Sequence, residues 1–147
     1  MAQDIGEALG RPIPYASLLG VRLRSRGEGR AELELDLRPE LMNSWDSAHG
    51  GVLMTLLDIA MAVAARSADP QALGAITVEM KTTFIGPSRG TLVAEGVCLH
   101  SGSSVSFCEG EARDATGRVV ARASGTFMVR RGRPAAEALP SDAVAGS

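Results

Sequence analysis

The chain has 147 residues, of which 45% are hydrophobic, and a formal net charge of -2. This length suits one domain with a core of its own. The balance excludes the strong basic field by which proteins hold nucleic acid or anionic membranes, and a single lysine, Lys81, leaves the positive charge almost wholly to arginine.

Residues 1–20 read as one or two short helices interrupted by Pro12 and Pro14. Leu18, Leu19, Val21 and Leu23 then lead into the first strand. Over 29–37, Ala31, Leu33, Leu35 and Leu37 alternate with Glu32, Glu34 and Asp36, the pattern of a half-buried strand with one wet face. A loop from Pro39 to Ala48 holds Asn43, Trp45 and Asp46. His49-Gly50-Gly51 opens the apolar run VLMTLLDIAMAVAA, Val52 to Ala65, in which only Thr55 and Asp58 are polar. The run is too long for a typical strand and contains no Gly or Pro, so it predicts a buried helix from about Gly51 to Ser67, ending before Asp69-Pro70. It is also too short to span a bilayer.

Residues 73–84 alternate again, with Ile76, Val78, Met80 and Phe84 opposed by Thr77, Glu79, Lys81 and Thr83. Gly86 to Gly90 is a turn. Residues 91–101 and 104–113 predict a hairpin across Ser101-Gly102-Ser103, Asp114 to Gly117 the next turn, and 118–129 the last strand. The order predicts an α+β domain over 1–130: strand, one long helix, then four strands as an antiparallel meander, the sheet covering most sides of the helix. Residues 131–147, rich in Ala, Pro and Gly, are expected to form a disordered tail. Cys98 and Cys108 lie on predicted strands and read as reduced core thiols of a cytoplasmic protein. Together with His100 they match no zinc spacing, so no metal site is expected.

The chemistry concentrates around the helix. A lone carboxylate in an apolar run is costly unless it is paired or used, which singles out Asp58. Thr55 lies one turn before it. The glycines at the helix start leave backbone N–H groups uncovered at the positive end of the dipole, a place for a developing negative charge. Together they suggest acyl chemistry. His49, beside that positive end, is expected to be neutral and structural.

Two stretches carry a family resemblance: Asn43 to Gly51 followed by Leu56-Leu57-Asp58, and Gly74 to Phe84 followed by Gly86-Pro87. With Asn six residues before His49 and Asp nine after it, the chain from about 15 to 130 resembles hotdog-fold acyl-CoA thioesterases related to the phenylacetate-degradation thioesterase. The resemblance implies one long helix wrapped by an antiparallel sheet of about five or six strands. It implies hydrolysis of an acyl-CoA or related thioester, with no cofactor. It assigns Asp58 as general base or nucleophile, Gly50 as oxyanion donor, Asn43 and Thr77 as positioning groups and His49 as support. Relatives often carry a basic residue near the 101–104 hairpin, where the phosphates of CoA lie. Here Ser103 and Ser104, with Arg89 or Arg130, would have to serve.

Helix geometry adds a constraint. Eight residues separate Gly50 from Asp58, about 12 Å along a helix axis. One thioester cannot touch both in the same chain, so a homodimer is expected in which Gly50 of one chain faces Asp58 of the other, with a dimer of dimers as a further possibility. Two other activities are compatible with a hotdog fold: an enoyl-thioester hydratase and a non-catalytic acyl-CoA-binding protein. The separation of His49 and Asp58 argues against the hydratase pairing within one chain, and the presence of Asp58 argues against a purely binding protein.

Overall fold

The computed structural model describes residues 1–132. The elements in chain order are β1 (Gln3–Asp4), α1 (Ile5–Ala8), α2 (Pro14–Leu19), β2 (Arg22–Gly27), β3 (Arg30–Asp36), a short 3-10 turn (Pro39–Leu41), α3 (Gly50–Ser67), β4 (Ala72–Phe84), β5 (Thr91–Ser101), β6 (Val105–Arg113) and β7 (Val119–Arg131). The strands form one antiparallel sheet in the order β1-β2-β3-β5-β6-β7-β4. The sheet wraps α3, which touches five of the six longer strands in quantity and β2 more lightly, the arrangement of a hotdog fold.

The α+β class and the single long helix follow the sequence expectation. The strand count is seven because a two-residue β1 extends the edge. The meander needs correction. β5, β6 and β7 follow one another, but β4 pairs with β7 at the far edge instead of with β5. The chain leaves α3 into the edge position and crosses through residues 85–90 to reach β5 beside β3. The tail expectation for residues 133–147 lies outside the described residues. Arg131, assigned to that tail, is the last residue of β7.

Pro14 occupies the first turn of α2, where its missing N–H costs nothing. His49 caps α3: its Nδ1 accepts the Gly51 N–H at 2.9 Å. The helix is 18 residues long with mean hydropathy 1.4, so by length and composition alone it meets the requirement for a membrane span, contrary to the reading of the shorter run. Sheet takes the place of lipid around it: Leu56, Leu57, Ala60, Met61, Ala64 and Ala65 are completely buried against the strands. The closest approach is at β5. A Cβ built on Gly96 would lie 2.3 Å from the Ala60 carbonyl oxygen, so only glycine allows the helix to settle at that depth.

β4 departs from simple alternation. Thr77 pairs with Phe127, and the next pair is Glu79 with Thr126, which leaves Val78 as an inserted residue in a β-bulge. Upstream of it Thr77 shares the helix-facing side with the fully buried Phe127. Downstream, Met80, Thr82 and Phe84 face the helix, opposite Gly125, Ala123 and Ala121. Thr77 and Phe84 therefore lie on the same side, although their spacing in a regular strand would put them on opposite ones.

Candidate active site

α3 has a covered side and an open side. On the open side Gly51 and Met54 are exposed, and Thr55, Asp58, Ile59 and Ala62 are half-buried. Asp58 is thus not sealed in the core. Its partner is a hydroxyl: Thr77 Oγ1 on β4 donates to Asp58 Oδ1 at 2.6 Å. The bulge at Val78 makes this bond possible by turning Thr77 toward the helix. A hydroxyl that donates to a carboxylate fixes its orientation and leaves the second oxygen free to act.

The other expected residues gather one helix half away. Asn43 Oδ1 accepts the N–H groups of Trp45 (2.9 Å) and Ser47 (3.1 Å), which folds the loop before α3. His49 Nδ1 takes the Gly51 N–H, and the His49 carbonyl takes those of Val52 and Leu53. Of the first four amides of α3, Gly50 alone is left without an acceptor among the described residues. It sits at the positive end of the helix dipole. The Phe84 ring flanks it: a Cβ on Gly50 would stand 3.3 Å from two ring carbons. One chain therefore carries two candidate half-sites. Asn43, His49 and Gly50 form the first, and Asp58 with Thr77 forms the second.

The residues expected to meet CoA phosphates are not brought to either half-site by any observed contact. Arg89 is engaged by Asp46, donating to its carbonyl at 2.7 Å and forming an ion pair at 3.4 Å. Ser103 and Ser104 are exposed at the hairpin tip, and Arg130 is exposed near the end of β7. The hairpin does receive a guanidinium, from Arg131. It donates to the carbonyls of Ser103 (2.6 Å) and Gly102 (3.3 Å) while pairing with Asp69 at 2.7 Å. Sequence reading missed this residue because the contact joins positions 28 and 29 apart. It also missed Tyr15, whose hydroxyl lies 3.3 Å from Thr55 Oγ1 on the open side of α3, 40 residues along the chain. Pro14 before it signals a helix start but gives no hint of that packing.

Cys98 and Cys108 face each other across β5 and β6 as free thiols. Burial, with Cys98 beside it, pushes the Cys108 thiol up to about 12, so it stays protonated at neutral pH. His100 stacks on Phe107, with ring centroids 5.8 Å apart. A surface hollow of about 620 Å³ lies on the outer face of the sheet, lined by Glu95, Glu111, Arg113 and Arg122 among others. It contains neither Asp58 nor Gly50.

One long helix wrapped by a single antiparallel sheet defines a hotdog protein. Residues 46–121 match the model of the thioesterase superfamily, and the chain belongs to that family. It is 32% identical over 114 residues to a Saccharolobus solfataricus protein described as a putative esterase, covering 77% of this chain and 81% of that one. Over a shorter stretch of 89 residues it is 33% identical to the acyl-coenzyme A thioesterase PaaI of Escherichia coli, covering 59% and 61% of the two chains. The solved structure of that PaaI protein superimposes with a TM-score of 0.78 at 26% identity, covering 86% of this chain and 91% of that one. A conserved protein of Pseudomonas aeruginosa gives a TM-score of 0.76 at 30% identity, covering 81% and 95%.

Proposed function

We propose that the protein hydrolyses an acyl-CoA thioester to the carboxylic acid and free thiol, at a site shared between two copies of the chain. The observation that carries this reading is the pair of half-sites: the unpartnered Gly50 N–H at the start of α3, and Asp58 held by Thr77 halfway along it. The thioester carbonyl oxygen points at Gly50 N–H of one protomer, where the helix dipole favours the growing negative charge. Asp58 of the other protomer takes a proton from water or attacks the carbonyl carbon itself. Thr77 fixes the carboxylate, Asn43 shapes the loop that presents Gly50, and His49 secures the helix start. A thiolate leaves readily, so no strong general acid is needed.

The surface supports a second chain. β4 is the outer strand of the sheet, and Leu73, Ile76, Val78 and Phe84 along it are each about half exposed. A 13-residue edge strand with apolar side chains invites pairing. The homology to an acyl-coenzyme A thioesterase favours CoA as carrier, and two free cysteines suit a cytoplasmic setting. Release of free thiol from a panel of short, medium and aryl acyl-CoAs tests the reaction. The expected result is turnover of at least one member. Enoyl-CoA hydration without thiol release would instead support the hydratase, and binding without either reaction would support a sensor. Sedimentation at micromolar concentration tests the shared site, which a fully active monomer would refute.

A further inference from the structure

Cys98 and Cys108 are the two thiols of the chain, and neither enters the proposed reaction. They stand directly opposite each other on the neighbouring strands β5 and β6. Both side chains are on the helix-facing side. Cys98 continues the buried row of Leu92, Ala94 and Gly96, and Cys108 that of Gly110 and Ala112. Gly96 lies against the Ala60 backbone, and Gly110 against Leu57 and Met61. The backbone fixes the kind of pairing. The Cys98 N–H donates to the Gly29 carbonyl at 2.7 Å, on the β3 side. In an antiparallel ladder the N–H and C=O of one residue point the same way, so Cys98 turns no backbone group toward Cys108. The two form a non-hydrogen-bonded pair, the closer of the two kinds, with Cα atoms about 4.5 Å apart. A disulfide spans roughly 4.4–6.8 Å between Cα atoms.

The two thiols are not equivalent. Cys108 is 2% exposed, and burial, followed by the neighbouring Cys98, pushes it up to about 12. Cys98 is half-buried. Its thiol donates to the His100 carbonyl at 3.5 Å, past a register shift at Leu99 that interrupts the ladder beside it. A small reagent therefore reaches Cys98 first, with Cys108 behind it in bonding register.

We propose that Cys98 and Cys108 are a peroxide-oxidisable pair that closes into a reversible disulfide between β5 and β6 of the folded protein. The Cys98 sulfur, as thiolate, attacks one oxygen of hydrogen peroxide. The O–O bond breaks, Cys98 becomes a sulfenic acid, and the departing hydroxide takes up the thiol proton as water. The Cys108 sulfur then attacks the Cys98 sulfur. The S–O bond breaks, and hydroxide leaves with the Cys108 proton as a second water. Two thiols are oxidised and one peroxide is reduced. Because the leaving hydroxide carries off the proton, Cys108 need not ionise beforehand. The bond clasps the sheet floor beneath α3, and a dithiol reductant opens it again.

The test treats the reduced full chain with hydrogen peroxide, then quenches it, unfolds it in iodoacetamide and weighs the tryptic peptide 90–113, which holds both cysteines. That peptide should lose two hydrogens, take no label, and recover both thiols in dithiothreitol. The rate should not change with protein concentration, because the bond forms within one chain. Cys98→Ser should slow oxidation of Cys108 at least about tenfold. Cys108→Ala should leave a Cys98 sulfenic acid that dimedone traps at least about tenfold more than in wild type. The oxidised protein should melt several degrees higher, since a cross-link in native register restrains only the unfolded chain. A Cys98 sulfinic acid beside a free Cys108, or a disulfide between two chains, would overturn the pair. So would an unchanged or lower melting temperature on oxidation. The wild-type mapping decides even where a variant fails to fold.

Discussion

The two sides of α3 are built from the same stretch of chain under opposite rules. On the covered side Leu56, Leu57, Ala60 and Met61 have no exposure, and Gly96 lets the Ala60 backbone approach the sheet directly. On the open side Gly51, Met54, Thr55 and Asp58 keep contact with solvent, and the polar atoms there are held by single hydrogen bonds from other elements. The covered side is specified by volume and tolerates no added atom. The open side is specified by orientation and should tolerate changes in stability terms while losing chemistry. Stability and activity are therefore expected to separate by helix face.

The strongest way to break this comparison is at Gly96. Gly96→Val forces side-chain atoms into the Ala60 backbone and should cost more than about 3 kcal/mol, enough to abolish cooperative thermal unfolding or soluble expression. A near-normal melting temperature would show that the helix can be displaced freely. Next comes Asp58→Asn, which is nearly isosteric. Turnover should fall by at least about 10²-fold while the melting temperature stays within a few degrees of wild type. Wild-type turnover in that variant would remove Asp58 from the reaction. Thr77→Val removes the hydroxyl that fixes the carboxylate, and turnover should fall about tenfold, again with little change in stability. Equal losses of stability and activity there would mean that Thr77 serves packing alone.

Two smaller effects sharpen the contrast. The buried Cys108 thiol, pushed up to about 12, should resist alkylation at neutral pH until the protein unfolds, as mass spectrometry of the labelled chain would show. Rapid native labelling would mean that the core opens. Away from the helix, Asp36 is held below the usual carboxylate range by the Thr91 hydroxyl and then by Arg22. A depressed folded value stabilises above the unfolded value and is lost as pH falls through the folded one. Asp36→Asn should therefore cost a little near neutral pH, under about 1 kcal/mol, and nothing in strong acid. Denaturant midpoints at both pH values measure this, and equal losses at both would contradict it.

The apolar run from Val52 to Ala65 made the helix legible, and the turn residues at 86–90, 102 and 114–117 marked where strands end. Strand order was not legible, because β4 and β7 each carry an apolar pattern that fits either an edge or an interior place. Asp58 stood out as a polar interruption in that run. The pairing of Thr77 with it came only through resemblance, since plain alternation puts Thr77 on the side opposite Met80 and Phe84. Contacts between distant segments, such as Tyr15 with Thr55 and Arg131 with the 102–103 hairpin, leave no local signature.

The inserted Val78 divides β4 into two reading phases. The stretch before it addresses the carboxylate, and the stretch after it seats the helix start through Phe84. Removing that one residue would leave a regular strand with Thr77 and Met80 still on one face, whereas keeping it and straightening the strand would turn one stretch over. Anchored by Met80, Thr82 and Phe84, a strand that kept Val78 in regular pairing would turn Thr77 outward and bring Ile76 in toward Asp58. Loss of the bulge, with no change of composition, would thus exchange a hydroxyl for a hydrocarbon beside the carboxylate. A relative that lacks the extra residue would need a gap at position 78 to keep its counterpart of Thr77 in register.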